Sequence, residues 1–294
     1  MTMEATNNVK ISFSGHESFP CKTLWLKKGY DFVKAEKDFN ASESVVDLGV
    51  GKNMVASIRY WYKAFGLNND KTSWIADYIF DPDAGKDPYM EDLGTLWLLH
   101  FLLVYTEEAT LYKLFFVDFQ KERRIFEKEQ VVLFVKRKMS AVGKDKLFNE
   151  NTLKKDVAVL LLNYCLPRNP QSNEDFSTLL MDLDLLRQTD RTKDTDEKHN
   201  RYFFNIDGKR QVTPAIFLFA LLIVKDKDDN SIPYDTLHEL GLIFCMTDLE
   251  VIDILKQLSE TYSNALTYTD VAGIRQLQFT QQLDAKLLLD NYYE

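Results

Sequence analysis

The sequence predicts a mainly α, multi-domain protein with winged helix-turn-helix-like units and small β-hairpin wings. Three observations predict it. Apolar residues recur at three- and four-residue spacing over most of the chain. The helical stretches open on Ser, Thr or Asp and several close on Gly. The β-rich runs are few, short and grouped around Asp207-Gly208 and Ala272-Gly273.

Thr23–Glu36 reads as a helix through Leu24, Trp25, Lys28, Phe32 and Ala35. A short helix over Glu43–Leu48 follows Ser42, breaks at Gly49-Val50-Gly51, and gives way to a second helix over Asn53–Phe65 capped by Gly66. Thr72–Phe80 returns as a strand or short helix, and Asp81–Pro88 is a loop. Helices are expected over Thr95–Tyr105, Glu127–Met139 and Asn151–Tyr164. Asn169–Asp175 and Asp190–Asn200 are polar connections, and Tyr202–Ile206 with Arg210–Val212 reads as a hairpin. Pro214 then opens a helix that continues over Ile216–Val224. Pro233–Leu240 is a short helix ended by Gly241, Thr247 caps Asp248–Tyr262, and Ala265–Thr269 with Arg275–Thr280 forms a terminal hairpin. Helix, short helix, longer helix, hairpin is the winged-helix order. The breaks divide the chain into 1–92, a helix-turn-helix-like DNA-binding unit; 93–212, a helical unit with a basic segment; and 213–294, an acidic winged-helix-like unit.

Composition narrows the function. The 294 residues carry a net charge of -9, which disfavours a simple nucleic-acid coat. Charge is uneven, however. Residues 113–155 hold twelve Lys/Arg against six Asp/Glu, a balance of +6; residues 225–294 hold five against thirteen, a balance of -8. Such a chain can bind a polyanion on one side and a protein on the other. Three scattered cysteines make neither a zinc ribbon nor a disulfide framework. The longest apolar runs, Trp97–Tyr105 and Ile216–Val224, are about half a membrane span, and no leader segment is visible, so a cytoplasmic protein without membrane contact is expected.

Four constellations bear chemistry. The Gly49-Val50-Gly51 turn delivers a helix beginning Lys52-Asn53, with Ser57, Arg59 and Lys63 further along. Asn pairs adenine and Arg pairs guanine or phosphate, so these five are expected DNA contacts; the alternative is a structural hairpin with a solvated basic face. Gly51-Lys52 is not a P-loop, since Val46 and Asn53 occupy the first-glycine and hydroxyl positions. In Ser14-Gly15-His16-Glu17-Ser18-Phe19-Pro20-Cys21, His16 is a candidate general base or metal ligand oriented by Glu17, against a turn capping the next helix. Asp81, Asp83, Asp87, Glu91 and Asp92 are an acidic cluster in which Asp87, Glu91 and Asp92 could hold Mg2+ for phosphodiester cleavage, with Glu91 catalytic; ordinary helix capping is the alternative. Arg123, Arg124, Lys136 and Arg137 in the basic segment are further candidates for phosphate contact. The acids Asp248, Glu250, Asp253 and Glu260, against Lys256, would repel phosphate from the C-terminal helix.

Ser14–Cys21 with Leu24–Tyr30, Leu48–Met54 with Arg59–Trp61, and Asp87–Tyr89 through Thr95–His100 together resemble a bacterial family known only as domain of unknown function 4007. The resemblance implies a setting: such proteins are encoded near PAPS-reductase-like, sulfur-handling proteins in DNA phosphorothioation and anti-phage loci, and the nicking component of the single-strand system looks like a member. It implies no catalytic residues. The expected function is therefore a DNA-binding, and by resemblance DNA-nicking, component of a DNA modification system. Two alternatives stay open: a non-enzymatic transcriptional regulator, and a scaffold whose acidic end docks on an ATPase or PAPS-reductase-like partner.

Overall fold

The computed structural model describes residues 11–70, 72–144, 149–167, 177–189, 201–206, 212–226, 228–271 and 273–294. Of the described residues, helix takes up 54% and strand 10%, which makes the chain mainly α, and their strands form two small antiparallel sheets. The N-terminal helices are α1 (Trp25–Lys34), α2 (Ser44–Leu48), α3 (Lys52–Ala64) and α4 (Trp74–Phe80). The Thr72–Phe80 ambiguity thus resolves as helix.

Asp92 then caps α5 (Leu93–Tyr105) by accepting from the Gly94 and Thr95 N–H groups. Every residue from Gly94 to Val104 is buried, so α5 is the central post of the core. The Phe-rich run behind it continues as α6 (Thr110–Lys113), a widened π turn over Leu114–Phe119, and α7 (Gln120–Glu122). α8 (Lys128–Ala141) starts from a Glu127/Gln130 capping box, and α9 (Glu150–Tyr164) from an Asn149 cap.

The middle sheet has the order β1 (Ile125–Phe126), β3 (Tyr202–Phe204), β2 (Leu186–Gln188). β3 pairs with β1 on one edge and β2 on the other, and residues 207–211 of the expected hairpin between Tyr202–Ile206 and Arg210–Val212 lie outside the described residues. The Asp207-Gly208 turn, Asn169–Asp175 and Asp190–Asn200 lie outside the described residues.

The C-terminal part runs α10 (Pro214–Val224), β4 (Ser231–Pro233), α11 (Tyr234–Ile243), α12 (Asp248–Thr261), β5 (Leu266–Val271), β6 (Ile274–Phe279) and α13 (Ala285–Tyr293). Its sheet order is β4-β6-β5. Thr213 and Thr247 cap α10 and α12, the latter within a capping box closed by Glu250. Gly241 does not end α11, as its type suggested. It lies inside the helix where α12 crosses closely: a Cβ there would meet Val251 Cγ2 at 2.3 Å. Neither β4 nor α13 is foreshadowed by the sequence pattern.

One buried cluster runs from Cys21 to Leu289. His100, fully buried on α5, joins its parts. Its Nε2 lies 2.7 Å from the Ile243 carbonyl, which can only accept, so Nε2 carries the proton and Nδ1 accepts from the Tyr164 hydroxyl at 2.8 Å. α13 returns to the N-terminal helices: Tyr292 donates to Asp92, Tyr293 pairs with Thr95 at 2.7 Å, and Tyr78 and Lys86 both reach Asp290, at 3.0 and 3.1 Å. Among the described residues, no helix is long and apolar enough to cross a membrane.

The α13 clamp carries a pH signature. The Lys86 ammonium, then the Tyr78 hydroxyl, hold the Asp290 carboxyl below its ordinary range. A carboxyl lowered on folding stabilises fully above its unfolded pKa of about 3.9 and ceases to do so as pH falls through the folded value. Asp290→Asn is therefore expected to unfold at lower urea than the parent at neutral pH, the gap closing below about pH 4. A gap that stays constant into acid contradicts the clamp.

Candidate nucleic-acid interface

α2 ends because Gly49 turns left-handed at φ 64°, and Lys28 of α1 donates its ammonium to the Leu48 carbonyl at that end. Gly51 is extended and hands the chain to α3. Val55, Ile58, Trp61, Tyr62 and Ala64 of α3 face the core. Lys52, Arg59 and Lys63 are exposed and fall, with Ala56, on the i, i+4, i+7, i+11 stripe of the opposite face, with Asn53 exposed beside them. Arg59 donates to the Asn40 side chain at 2.7 Å, which holds its guanidinium beside α2, and Lys63 lies 3.5 Å from Glu108. The first turn of α3 has no acid. Its unpaired N–H groups and Lys52 therefore offer an anion one positive end.

Ser57 is a correction. It is fully buried, and its hydroxyl is spent on the Asn53 and His16 carbonyls, both 2.9 Å away, so it presents nothing to a ligand. What it does is seat α3 on the 14–21 segment. Trp61 Nε1 adds a second bond to that segment at the Phe19 carbonyl, 3.1 Å.

That segment is strained and pinned. Ser14, Gly15, Glu17 and Ser18 all have positive φ. Gly15 has no substitute, since a Cβ there would sit 2.7 Å from the Tyr60 ring. Such backbone persists only where its surroundings over-determine it. Here α9 does so. Asp156, 4% exposed, accepts from the Ser14 N–H at 3.1 Å and pairs with His16 Nε2 at 2.9 Å. His16 Nδ1 accepts from the Ser18 N–H at 3.1 Å, which places the ring proton on Nε2, aimed at Asp156. The ring, 4% exposed, stacks on Trp61 and meets Tyr60 edge-on. Burial, then the Asp156 charge, push the Tyr60 phenol above its ordinary range and keep it protonated.

The catalytic expectation for His16 and Glu17 changes accordingly. Both ring nitrogens of His16 are engaged and the ring is enclosed, so it has no nitrogen to offer a substrate. Its orienting acid is Asp156, 140 residues away in sequence. Glu17 is exposed and is not that partner. Asp156 was missed, although a signal existed: it is an acid inside the buried α9 stripe Leu153, Val157, Leu160 and Leu161.

The acidic cluster also separates into caps. Asp87 accepts from the Glu91 and Asp92 N–H groups at 2.9 and 3.0 Å, while Asp92 caps α5 and receives Tyr292. The Glu91 side chain is exposed and takes no part in these bonds. Asp81 belongs elsewhere, held below its ordinary range by the Ala84 and Asp83 N–H groups. No group of three or more His, Cys, Asp or Glu among the described residues is arranged to hold a metal ion. The Asp87, Glu91 and Asp92 set thus does not fit Mg2+.

In the basic segment, Lys121, Lys136, Arg137 and Lys138 pair with Glu239, Glu150, Glu122 and Asp118. The Lys136 and then Lys154 ammonium groups lower the Glu150 carboxyl to about 2. Arg123 and Arg124 are exposed without an ion pair among the described residues. Glu150, Glu122 and Asp118 are already counted in the +6 balance, so of these pairs only Lys121–Glu239 draws on it, as Lys63–Glu108 does on the α3 stripe.

A mainly helical chain with a glycine-turned basic helix seated on a buried His–Asp pair defines the class. The chain belongs to the DUF4007 family of proteins of unknown function, which it matches over residues 13–293. It is similar to a crystal structure of SspB at 27% identity and TM-score 0.80, and to one of magnesium ion-bound SspB at 25% and 0.78. Each comparison covers 96% of this chain and 88% of the other. Comparison with curated proteins gives no match.

Removing one partner of a buried charged hydrogen bond costs roughly 2–4 kcal/mol. His16→Ala and Asp156→Ala are each expected to lose about that much in urea unfolding, with their double variant losing less than the sum. Additive losses would show that the two do not act as a pair.

Proposed function

We propose that this chain is the DNA-contacting component of a phosphorothioation-type DNA modification system, binding duplex through α3. The observation that supports it most is the Lys52, Arg59, Lys63 stripe, which stands outward with Asn53 on a helix whose inner face is locked to the core. Lys52 and Lys63 supply phosphate neutralisation. Arg59 and Asn53, side chains able to make paired hydrogen bonds to base edges, supply readout. The likeness to SspB over nearly the whole chain supports the setting.

We read 213–294 as a winged-helix-like unit, since β4-β6-β5 with α10, α11 and α12 has that order. Its third helix is not a second DNA reader in this proposal. Asp248, Asp253 and Glu260 on α12 repel phosphate. The unit tethers instead, through α13.

Nicking is the second reading, favoured by the magnesium-bound state of one similar structure. It gains nothing from His16, Asp87 or Asp92, whose side chains are engaged as described above, which leaves the exposed Glu91 carboxylate to be tested. A relaxation assay on supercoiled plasmid with Mg2+ separates the two. Nicks surviving Glu91→Ala would confirm that the chemistry lies away from that acid.

Lys52→Ala and Arg59→Ala are each expected to weaken duplex binding without lowering the melting temperature. Each should reduce the slope of log affinity against log salt by about 1. Arg59→Ala should also weaken the preference among sequences. Unchanged affinity and slope in both would remove α3 from the interface.

A further inference from the structure

Apart from the α3 stripe, two surfaces of opposite sign carry charges without an ion pair among the described residues. On α12, Leu249, Asp253, Lys256 and Glu260 form one exposed stripe at i, i+4, i+7 and i+11. Leu249 is 73% exposed, and neither Asp253 nor Glu260 has an ion-pair partner among the described residues. Of opposite sign are Arg123 and Arg124, which have no ion pair among the described residues while their neighbours Lys121 and Arg137 each have an acid, followed by Ile125 at 60% exposure. Ile125 opens β1, which among the described residues pairs with β3 alone and stands at one edge of its sheet. Each surface thus has a large exposed aliphatic beside two like charges with no ion pair among the described residues, with Lys256 standing between the two acids of α12. The two are complementary in sign yet do not neutralise each other within one molecule.

We infer that the chain associates head-to-tail with a second copy of itself, the acidic α12 face of one copy receiving the Arg123–Ile125 edge of the next. The contact is heterologous, because two different patches meet, so it does not close on itself after two copies. It extends into a ring or a row. Leu249 and Ile125 supply the apolar centre, and the charges set register and partner choice. A row of copies would repeat α3 along a duplex without using Arg123 or Arg124 on phosphate. The inference stands without the DNA reading, and it is tested without DNA.

Sedimentation velocity of the full chain at low salt is expected to show mass rising with concentration beyond a dimer. At about 1 M NaCl, where screening shortens to roughly 3 Å, it should fall back to monomer. Asp253→Asn/Glu260→Gln and Arg123→Gln/Arg124→Gln, each conservative and exposed, should each raise the dissociation constant on the order of tenfold or more. Because each variant keeps one intact face, their equimolar mixture should form a one-to-one dimer and stop there. A wild-type chain that is monomeric at every concentration overturns the inference. So does a mixture that stays monomeric, or a variant that assembles like the wild type. If Arg123→Gln/Arg124→Gln instead lowers duplex affinity and leaves the mass distribution untouched, the arginines belong to DNA and the inference fails.

Discussion

The Asp156 carboxylate is buried, and a buried charge is tolerable only with close partners. It finds them in His16 and in the Ser14 N–H. That need holds together residues far apart in sequence and fixes a segment with four positive-φ residues. The same helix continues the work further along. Asn163 accepts from the Cys21 N–H and donates to Tyr112, and Tyr164 donates to His100. Asp156, Asn163 and Tyr164, at i, i+7 and i+8, are one buried polar face of α9. Through it the N-terminal segment, α5 and the end of α11 are held in one arrangement.

On that base α3 is seated rather than free. Ser57 and Trp61 bond to carbonyls of the pinned segment, and Gly15 passes against Tyr60 at a distance no side chain would permit. Rigid support beneath a helix is what lets a few side chains on its outer face meet a repetitive polyanion in register. Under the proposed DNA reading, the buried His–Asp pair serves recognition geometry in place of the catalytic role its residue types invite. α13 extends the same logic to the C-terminal unit, tying it to α4 and α5 through tyrosine hydroxyls and the Lys86–Asp290 pair.

Much of this was legible in the sequence, and the failures have physical causes. The helices with apolar periodicity, α1, α3, α8, α9, α10 and α12, lie where spacing places them. The short pieces do not announce themselves. β1 has two residues and β4 three, and each is a strand only because a distant partner supplies the ladder. Gly241 looked like a helix end and is a crossing point, which only the position of Val251 decides. At the site, residue type was legible and partnership was not. His16 was found, but its acid lay across the fold and not next door. Ser57 shares the helix with Arg59 yet faces inward. Asp87 and Asp92 were read as metal ligands or caps, and only the N–H groups in front of them decide for caps.

Charge then separates the two ends of the chain. The basic side chains of α3 stand outward on a locked helix, whereas several cations of the middle segment pair with neighbouring acids and α12 is acidic. The most direct measurement is hydrogen exchange of the full chain with and without a DNA duplex. The result expected is protection of residues 49–63, with a smaller gain over the 14–21 segment beneath them, and no change over 248–261. Protection of 248–261 with none over 49–63 would contradict the account.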